Sequence, residues 1–459
     1  MSKVTLLYPP QQAEPGHGHK PEAALAYPYL AGALLAAGHD VSCYDACVGN
    51  ADDPEDVFSC ETVLPSGLIR YGVSDDRILD AVADSDVVGI TSIFTAQETM
   101  ALHVGRLIKQ RFPDKLVIAG GVNASSRPVK FFEAGFDVVC RGESEHMVVS
   151  FAESPSRYLG CKQKFCQPLT IDLDDLPVPA WHVHPNDRYW KIGRPHGATL
   201  KQDVDFRYAP MMTSRGCVFH CSYCHISGDR ETALFRTKST KRVHAELQRL
   251  VDLGVDNVFV EDDTLFGRKQ RALQLLREMK RYEFRMWDIN GINLPHLFHN
   301  DNGTFVPDIQ LLDVLQECRF SAISLPVESA SQRIIDRYAS RKWKVDRLPV
   351  ADLIREMANR GISAGVNYMI GYPDETIEEI QATIDMAKRH REAGAASANF
   401  MLVIPLPGSA LHQEAINNGY LDEEFNPDTF NWRRASMKNT TVPPDVLEEI
   451  HRTAWEALN

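Results

Sequence analysis

Cys217, Cys221 and Cys224 constrain this chain more than any other feature. They stand as C-x3-C-x2-C in Met211-Met212-Thr213-Ser214-Arg215-Gly216-Cys217-Val218-Phe219-His220-Cys221-Ser222-Tyr223-Cys224, directly after an apolar run and beside a glycine. Three thiolates in one tight loop make a soft-metal site. A closed zinc site takes four ligands, usually as C-x2-4-C pairs, and no fourth follows locally. A cubane iron–sulfur cluster normally takes one cysteine per iron, so three cysteines leave one iron open to an outside ligand. Half a zinc ribbon and a set of inert buried thiols are the other readings of the same residues.

The 459 residues exceed one average domain, so two domains and a linker are expected. With 44% hydrophobic and 24% charged residues, the composition suits a globular enzyme. A net charge of −13, with no basic stripe of interleaved aromatics, argues against a nucleic-acid partner. The first apolar run, Val4 to Tyr8, is too short for a signal peptide or a membrane span, and a cytoplasmic chain is expected. Ten cysteines then read as metal ligands and buried thiols, not as a disulfide framework.

Strands alternate with helices over residues 1–150. The expected strands are Val4–Tyr8, Val41–Asp45, Val87–Ser92, Leu116–Gly121 and Asp137–Glu143, with helical patterns at Tyr27–Gly38, Ile78–Val82 and Leu102–Phe112. That order implies an N-terminal doubly wound, Rossmann-like parallel sheet. Ligands of such sheets bind beyond the carboxyl ends of the strands. Polar residues and glycines fall there: Thr91 and Ser92, Gly120, Gly121 and Asn123, and Arg141, Gly142 and Glu143. Glycines would let a bulky flat ligand approach the backbone. No G-x-G-x-x-G is present, which disfavours a dinucleotide.

Residues 151–206 read as a linker, acidic and proline-punctuated at Asp172-Leu173-Asp174-Asp175-Leu176-Pro177-Val178-Pro179. Cys161 and Cys166 lie in it and read as unligated thiols. The alternation returns over 207–410, with expected strands at Pro210–Ser214, Asn257–Glu261, Met286–Gly291, Ala322–Val327, Ala364–Ile370 and Ala398–Ile404. A short helical tail, 411–459, closes the chain.

The cysteine spacing, with the aromatic Tyr223 before the last cysteine, resembles the radical S-adenosylmethionine (radical SAM) enzymes. Six βα units resemble their partial (β/α)6 TIM barrel, whose active groups sit at the carboxyl strand ends. By that resemblance Cys217, Cys221 and Cys224 hold a [4Fe–4S] cluster whose open iron binds SAM. The acidic group Glu261, Asp262 and Asp263 then meets the SAM ammonium. Glu328 and Ser329, in a stretch similar to E-S-G-S, reach its ribose and carboxylate. Gly371, in a G-x-P-G-E-T-like turn, and Pro405, in a P-x-P-G-T-like one, complete the expected SAM contacts. A helix N-cap is the competing reading for any such strand-end acid or hydroxyl.

The first segment resembles the cobalamin-binding domain found in front of many radical SAM enzymes. It lacks D-x-H-x-x-G, whose histidine ligates cobalt from below, and His17 and His19 have no such context. The combined resemblance, to class B radical SAM methyltransferases, implies reductive cleavage of SAM and hydrogen abstraction from an unactivated carbon of a small metabolite. Methyl transfer from methylcobalamin would follow, with electrons from a flavodoxin or ferredoxin. Oxidation, ring rearrangement and cyclisation begin with the same abstraction and stay open. A metal-binding interaction protein without catalysis would instead be colourless or zinc-loaded and would not cleave SAM.

Overall fold

A computed structural model describes residues 1–16, 20–167, 171–195, 206–228 and 234–459; His17 and His19 lie outside them. The described chain forms two compact units. One runs from Met1 into the linker and includes Ala245–Gly254; the other takes Pro210–His244 and Val255–Asn459.

The first unit is built on six parallel strands: β1 (Lys3–Tyr8), β2 (Asp40–Asp45), β3 (Val87–Thr91), β4 (Leu116–Gly120), β5 (Val138–Arg141) and β6 (Gln163–Cys166), ordered β2-β1-β3-β4-β5-β6. The strand order reverses at β1 and β3, the crevice where ligands of such sheets bind. The apolar runs are nearly continuous because both faces are covered. Leu7, Val88, Ile90, Val117, Ala119 and Val139 pack on one side with helices α2 (Asp75–Val82) and α3 (Glu98–Arg111). Val4, Leu6, Val87, Leu116, Ile118 and Val138 pack on the other with α1 (Ala26–Ala36) and α4 (Glu145–Glu153).

Strand β6 comes from the stretch read as a linker. It is an edge strand, with Gln163, Lys164 and Cys166 exposed, so no apolar run announces it. Phe165 alone anchors it, with ring centroids 5.4 Å from Phe151 and 5.7 Å from Tyr158. A small antiparallel sheet, Gln11–Ala13, Ile69–Tyr71 and Glu61–Val63, also escapes the sequence pattern because its strands are three residues long.

The second large sheet forms a partial barrel. Strands β7 (Tyr208–Met211), β8 (Asn257–Val260), β9 (Arg285–Asp288), β10 (Phe320–Glu328), β11 (Ser363–Ile370) and β12 (Ser397–Leu402) are hydrogen-bonded in chain order. Helices α5 (Thr240–Leu253), α6 (Lys269–Met279), α7 (Ile309–Glu317), α8 (Gln332–Tyr338), α9 (Val350–Asn359) and α10 (Ile377–Glu392) stand between them. The tail adds α11 (Ala410–Asn417) and α12 (Pro444–Leu458). Helix α12 closes on β12: His451 Nε2 meets the Phe400 carbonyl at 3.0 Å, and Asn459 brackets Ala398 with two bonds.

Which wall of β11 faces the helices follows from Tyr368, whose hydroxyl meets His390 Nδ1 of α10 at 2.7 Å. Alternate residues Ser363, Gly365, Asn367 and Met369 therefore line the opposite, inner wall. Several strand-end hydroxyls are helix caps: Ser331 accepts from Ile334 N, Thr376 from Glu379 N and Ser409 from His412 N.

Candidate active site

The cysteine loop leaves β7 and is fixed by groups other than its thiols. Asp262, fully buried, accepts from Thr213 N, from Thr213 Oγ1 at 2.6 Å and from Ser214 Oγ at 2.5 Å. Arg271 of α6 donates to Thr213 Oγ1 at 2.9 Å and to its carbonyl at 2.8 Å. Asp263 accepts from Gly216 N at 2.8 Å, and Gly216 takes a left-handed φ of 82° that sends the chain into the loop. Both Asp262 oxygens are thus engaged by the loop itself.

The far side of the loop is held equally well. Ser222 N donates to the Tyr338 carbonyl and Leu411 N to the Ser222 carbonyl, both at 2.8 Å. His220 N meets Ser340 Oγ at 3.0 Å, and His225 Nδ1 meets the Pro407 carbonyl at 2.9 Å. Tyr223 lies beside Tyr372, which stacks on Tyr338 with centroids 4.6 Å apart.

Cys221 is buried, while Cys217 and Cys224 are half-buried. Among the described residues, no three His, Cys, Asp or Glu side chains stand grouped as a finished metal site. Burial pushes the Cys221 thiol up to about 11 and raises Cys217 as well; the Lys342 ammonium opposes burial at both. A thiolate there needs a compensating positive centre, and metal binding supplies one while releasing the protons. Three soft donors on a loop held by its own backbone fit an iron–sulfur cluster.

At the end of β10 the register slips, and Glu328 adopts a left-handed φ of 68°. Its carboxylate pairs with Lys342 Nζ at 2.5 Å, with both side chains nearly closed to solvent. Ser329 is fully buried and accepts from Ser331 N at 3.0 Å. Gly371, with φ 90°, donates its amide to Glu375 Oε2 at 2.7 Å, and a Cβ there would collide with Leu447. The Pro405 carbonyl accepts from His412 Nδ1 at 2.9 Å. Glu261 is half-buried, and its carbonyl accepts from Asn290 Nδ2 at 3.0 Å.

The inner wall carries residues that the motifs did not single out. Asn399 Nδ2 donates to Asn367 Oδ1 at 3.0 Å, and Asn367 Nδ2 donates to Ser324 Oγ at 2.8 Å. The sequence signal was available: Ser363-Gly365-Asn367 alternates with Val366-Tyr368-Ile370 in a strand whose two faces would otherwise both be apolar. His296 is half-buried against the Phe266 carbonyl, while His299 is exposed.

Asp288, at the end of β9, is buried with Oδ1 unpartnered, and burial pushes its carboxyl up to about 8. A carboxyl raised by folding contributes stability in full below about pH 4 and loses it as pH rises through about 8. Asp288→Asn, which cannot ionise, should gain about 1–3 kcal/mol over the wild type at pH 9 and little at pH 5. Urea midpoints at both pH values check this; a gain independent of pH would contradict it.

In the first unit the β3 and β4 ends are knitted together. Ser92, fully buried, donates its N–H to the Gly120 carbonyl at 2.8 Å, and its own carbonyl accepts from Asn123 N at 3.1 Å. Asn123 Nδ2 bonds Ser92 Oγ at 3.0 Å and Glu98 Oε2 at 3.1 Å, while its Oδ1 is buried and unpartnered. Gly121 has φ 94°, and a Cβ there would lie 2.5 Å from the Ser92 carbonyl oxygen. Loop-to-loop packing is by itself enough to require glycine at 121. A Cβ on Gly120 would meet nothing within 4 Å. Thr91 is buried, Arg141 and Glu143 are half-buried, and Gly142 is exposed in a left-handed turn. Open space at Gly120 and an unsatisfied buried amide oxygen at Asn123, on the carboxyl edge of the sheet, fit a ligand at that edge.

The radical SAM superfamily model matches residues 211–387, and the B12 binding domain model matches 21–152. The cytidylyl-2-hydroxyethylphosphonate methyltransferase of Streptomyces wedmorensis is 27% identical over 86% of this chain and 78% of its own. An uncharacterized methyltransferase of Pyrococcus horikoshii is 27% identical over 83% and 80%. The anaerobic magnesium-protoporphyrin IX monomethyl ester cyclase of Rubrivivax gelatinosus is 24% identical over 94% and 71%. The structure of the radical S-adenosylmethionine methyltransferase TsrM from Kitasatospora setae, with cobalamin and a [4Fe–4S] cluster bound, superposes with a TM-score of 0.62 at 18% identity, covering 91% of this chain and 78% of that one, and shows the shared fold. The chain belongs to the radical SAM enzymes that carry a B12-binding domain ahead of the radical SAM domain. Among the described residues, no helix is long and apolar enough to cross a membrane.

Proposed function

We propose that this enzyme is a cobalamin-dependent radical SAM methyltransferase that methylates an unactivated carbon of a small metabolite. The observation that carries it is the pairing of a three-thiol loop at the end of β7 with a B12-type sheet whose carboxyl edge has room for a ligand. Cys217, Cys221 and Cys224 would hold a [4Fe–4S] cluster with one iron open to SAM. When bound, the cluster supplies the electron that splits SAM, and cobalamin supplies the methyl group.

The chain's own residues bind, orient and exclude water. Glu261 is the strand-end carboxylate suited to the SAM ammonium, since a carboxylate opposite an ammonium is a charge-assisted pair. Asp262 and Asp263 support it by fixing the loop through Thr213, Ser214 and Gly216. Glu328, Ser329, Gly371, Pro405 and the Tyr223 ring are the remaining SAM-side groups at the barrel mouth. The amide row Ser324, Asn367 and Asn399 offers donors and acceptors to a polar substrate group. Thr91, Ser92, Gly120, Asn123, Arg141 and Glu143 would border the corrin. A flavodoxin or ferredoxin would deliver the electron.

Methyl transfer is favoured over other radical outcomes because relatives named for it align along most of the chain. A second reading, ring closure, has support from the cyclase aligned over 94% of the chain. Labelled-methyl SAM separates them with candidate polar metabolites as substrates: label in the product supports methylation, and product formed without label supports closure.

Gly120 provides the test of the corrin edge. Gly120→Phe should fold like the wild type and bind cobalamin roughly tenfold more weakly or worse, because its side chain fills the open space. Gly121→Ala should instead lose about 1–3 kcal/mol of stability through its strained φ. Bound cobalt and thermal unfolding read the two effects; full cobalt uptake by Gly120→Phe would move the ligand elsewhere.

A further inference from the structure

We propose that Lys342 is a fixed positive charge, held against the cysteine loop by its segment, that makes the cluster there easier to reduce; this rests on the cluster reading above. Lys342 Nζ is paired with Glu328 Oε1 at 2.5 Å, and only 10% and 7% of the two side chains are exposed. Burying an ammonium is costly unless it is paired, and pairing here requires an unusual backbone. Glu328, Ser340 and Arg341 are all left-handed, with φ of 68°, 60° and 54°. Three strained non-glycine residues around one ion pair mark a place where geometry is imposed by the surroundings.

The same segment is docked on the loop that carries the thiols. Ser340 Oγ receives His220 N at 3.0 Å, and the Tyr338 carbonyl receives Ser222 N at 2.8 Å. These two bonds flank Cys221 in sequence, so the Lys342 segment is tied to the loop on both sides of that thiol. Acidic groups stand at the same loop: Asp263 accepts from Gly216 N at 2.8 Å, and Glu328 pairs with Lys342. Lys342 is a buried cation that offsets them.

Reduction moves one electron from a low-potential donor of the flavodoxin or ferredoxin type onto the cluster; no bond forms or breaks and no proton is transferred. The added negative charge is stabilised by a nearby cation in a low-dielectric setting. Net charge around a cluster is one of the levers on its potential. Removing Lys342 should therefore lower the potential, and removing the Glu328 charge should raise it. A purely structural role would not give opposite signs.

The test is a redox titration of the reconstituted full chain without SAM, with dithionite as reductant, read by electron paramagnetic resonance alongside iron and sulfide content. At the potential where wild-type cluster is half reduced, Lys342→Met should show a reduced-to-oxidised ratio about tenfold lower, equivalent to about 59 mV for one electron. Lys342→Arg should restore the ratio to within about twofold of wild type, and Glu328→Gln should raise it about tenfold. If Lys342→Met cannot hold a cluster, Glu328→Gln alone decides: a ratio unchanged or lowered overturns the proposal. An unmoved ratio in a fully loaded Lys342→Met, or shifts of the same sign in both variants, also overturns it. A wild type that takes up no cluster would remove the cluster reading itself, which is a different failure.

Discussion

With Cys217, Cys221 and Cys224 all changed to alanine, the reconstituted protein should be colourless, and its cleavage of SAM should fall to background while the fold survives. The proposed cluster ligands are local to one loop, and Cys318, the remaining cysteine of that unit, is buried with its thiol on the Leu276 carbonyl. The loop keeps its shape without the thiols, because Asp262, Asp263, Tyr338, Ser340 and Leu411 hold its backbone and hydroxyls. Optical absorption and circular dichroism check the two halves. Wild-type absorbance in the triple variant would locate the cluster elsewhere, and an unfolded variant would mean that the thiols pack the loop.

Asp262→Ala should cost about 3 kcal/mol of stability and also prevent cluster assembly. The fully buried carboxylate accepts from three donors on Thr213 and Ser214. Bonds to a charged acceptor are worth about 1.5–3 kcal/mol each, and donors stranded in the interior lose their solvation as well. These contributions are coupled, so they do not add in full. Asp262→Asn, which keeps the size and one acceptor, should lose about half as much. Urea denaturation and iron content measure both variants. An Asp262→Ala protein with wild-type stability and a full cluster would show that the loop is fixed from its Tyr338 side alone.

Both sheets were legible in the sequence because parallel strands buried on two faces give unbroken apolar runs, as in Val87-Val88-Gly89-Ile90 and Val258-Phe259-Val260. What escaped was structure at the margins. Strand β6 has one buried-side aromatic, Phe165, and otherwise exposed polar residues, and the hairpin Phe298–Asp301 with Thr304–Pro307 is largely exposed. The cysteine loop could be read from spacing alone, since its chemistry is local. The division of labour among Glu261, Asp262 and Asp263 could not, because it depends on which carboxylate turns toward Thr213 and Ser214. Gly121 illustrates the same limit: its left-handed φ serves a contact with Ser92, distant in sequence. Lys342 carried no motif, and only the fold brings it to Glu328 and the cysteine loop.

The central claim, that this chain splits SAM at a three-cysteine cluster and transfers methyl through cobalamin, is tested most directly by product analysis under anaerobic, reducing conditions. The protein is loaded with iron, sulfide and cobalamin and incubated with SAM, dithionite and a panel of small polar metabolites. Mass spectrometry then quantifies 5′-deoxyadenosine and S-adenosylhomocysteine. The expected result is both products from the wild type and no 5′-deoxyadenosine from the Cys217, Cys221 and Cys224 triple alanine variant. SAM recovered intact from wild-type protein that carries its full complement of iron and cobalt would contradict it.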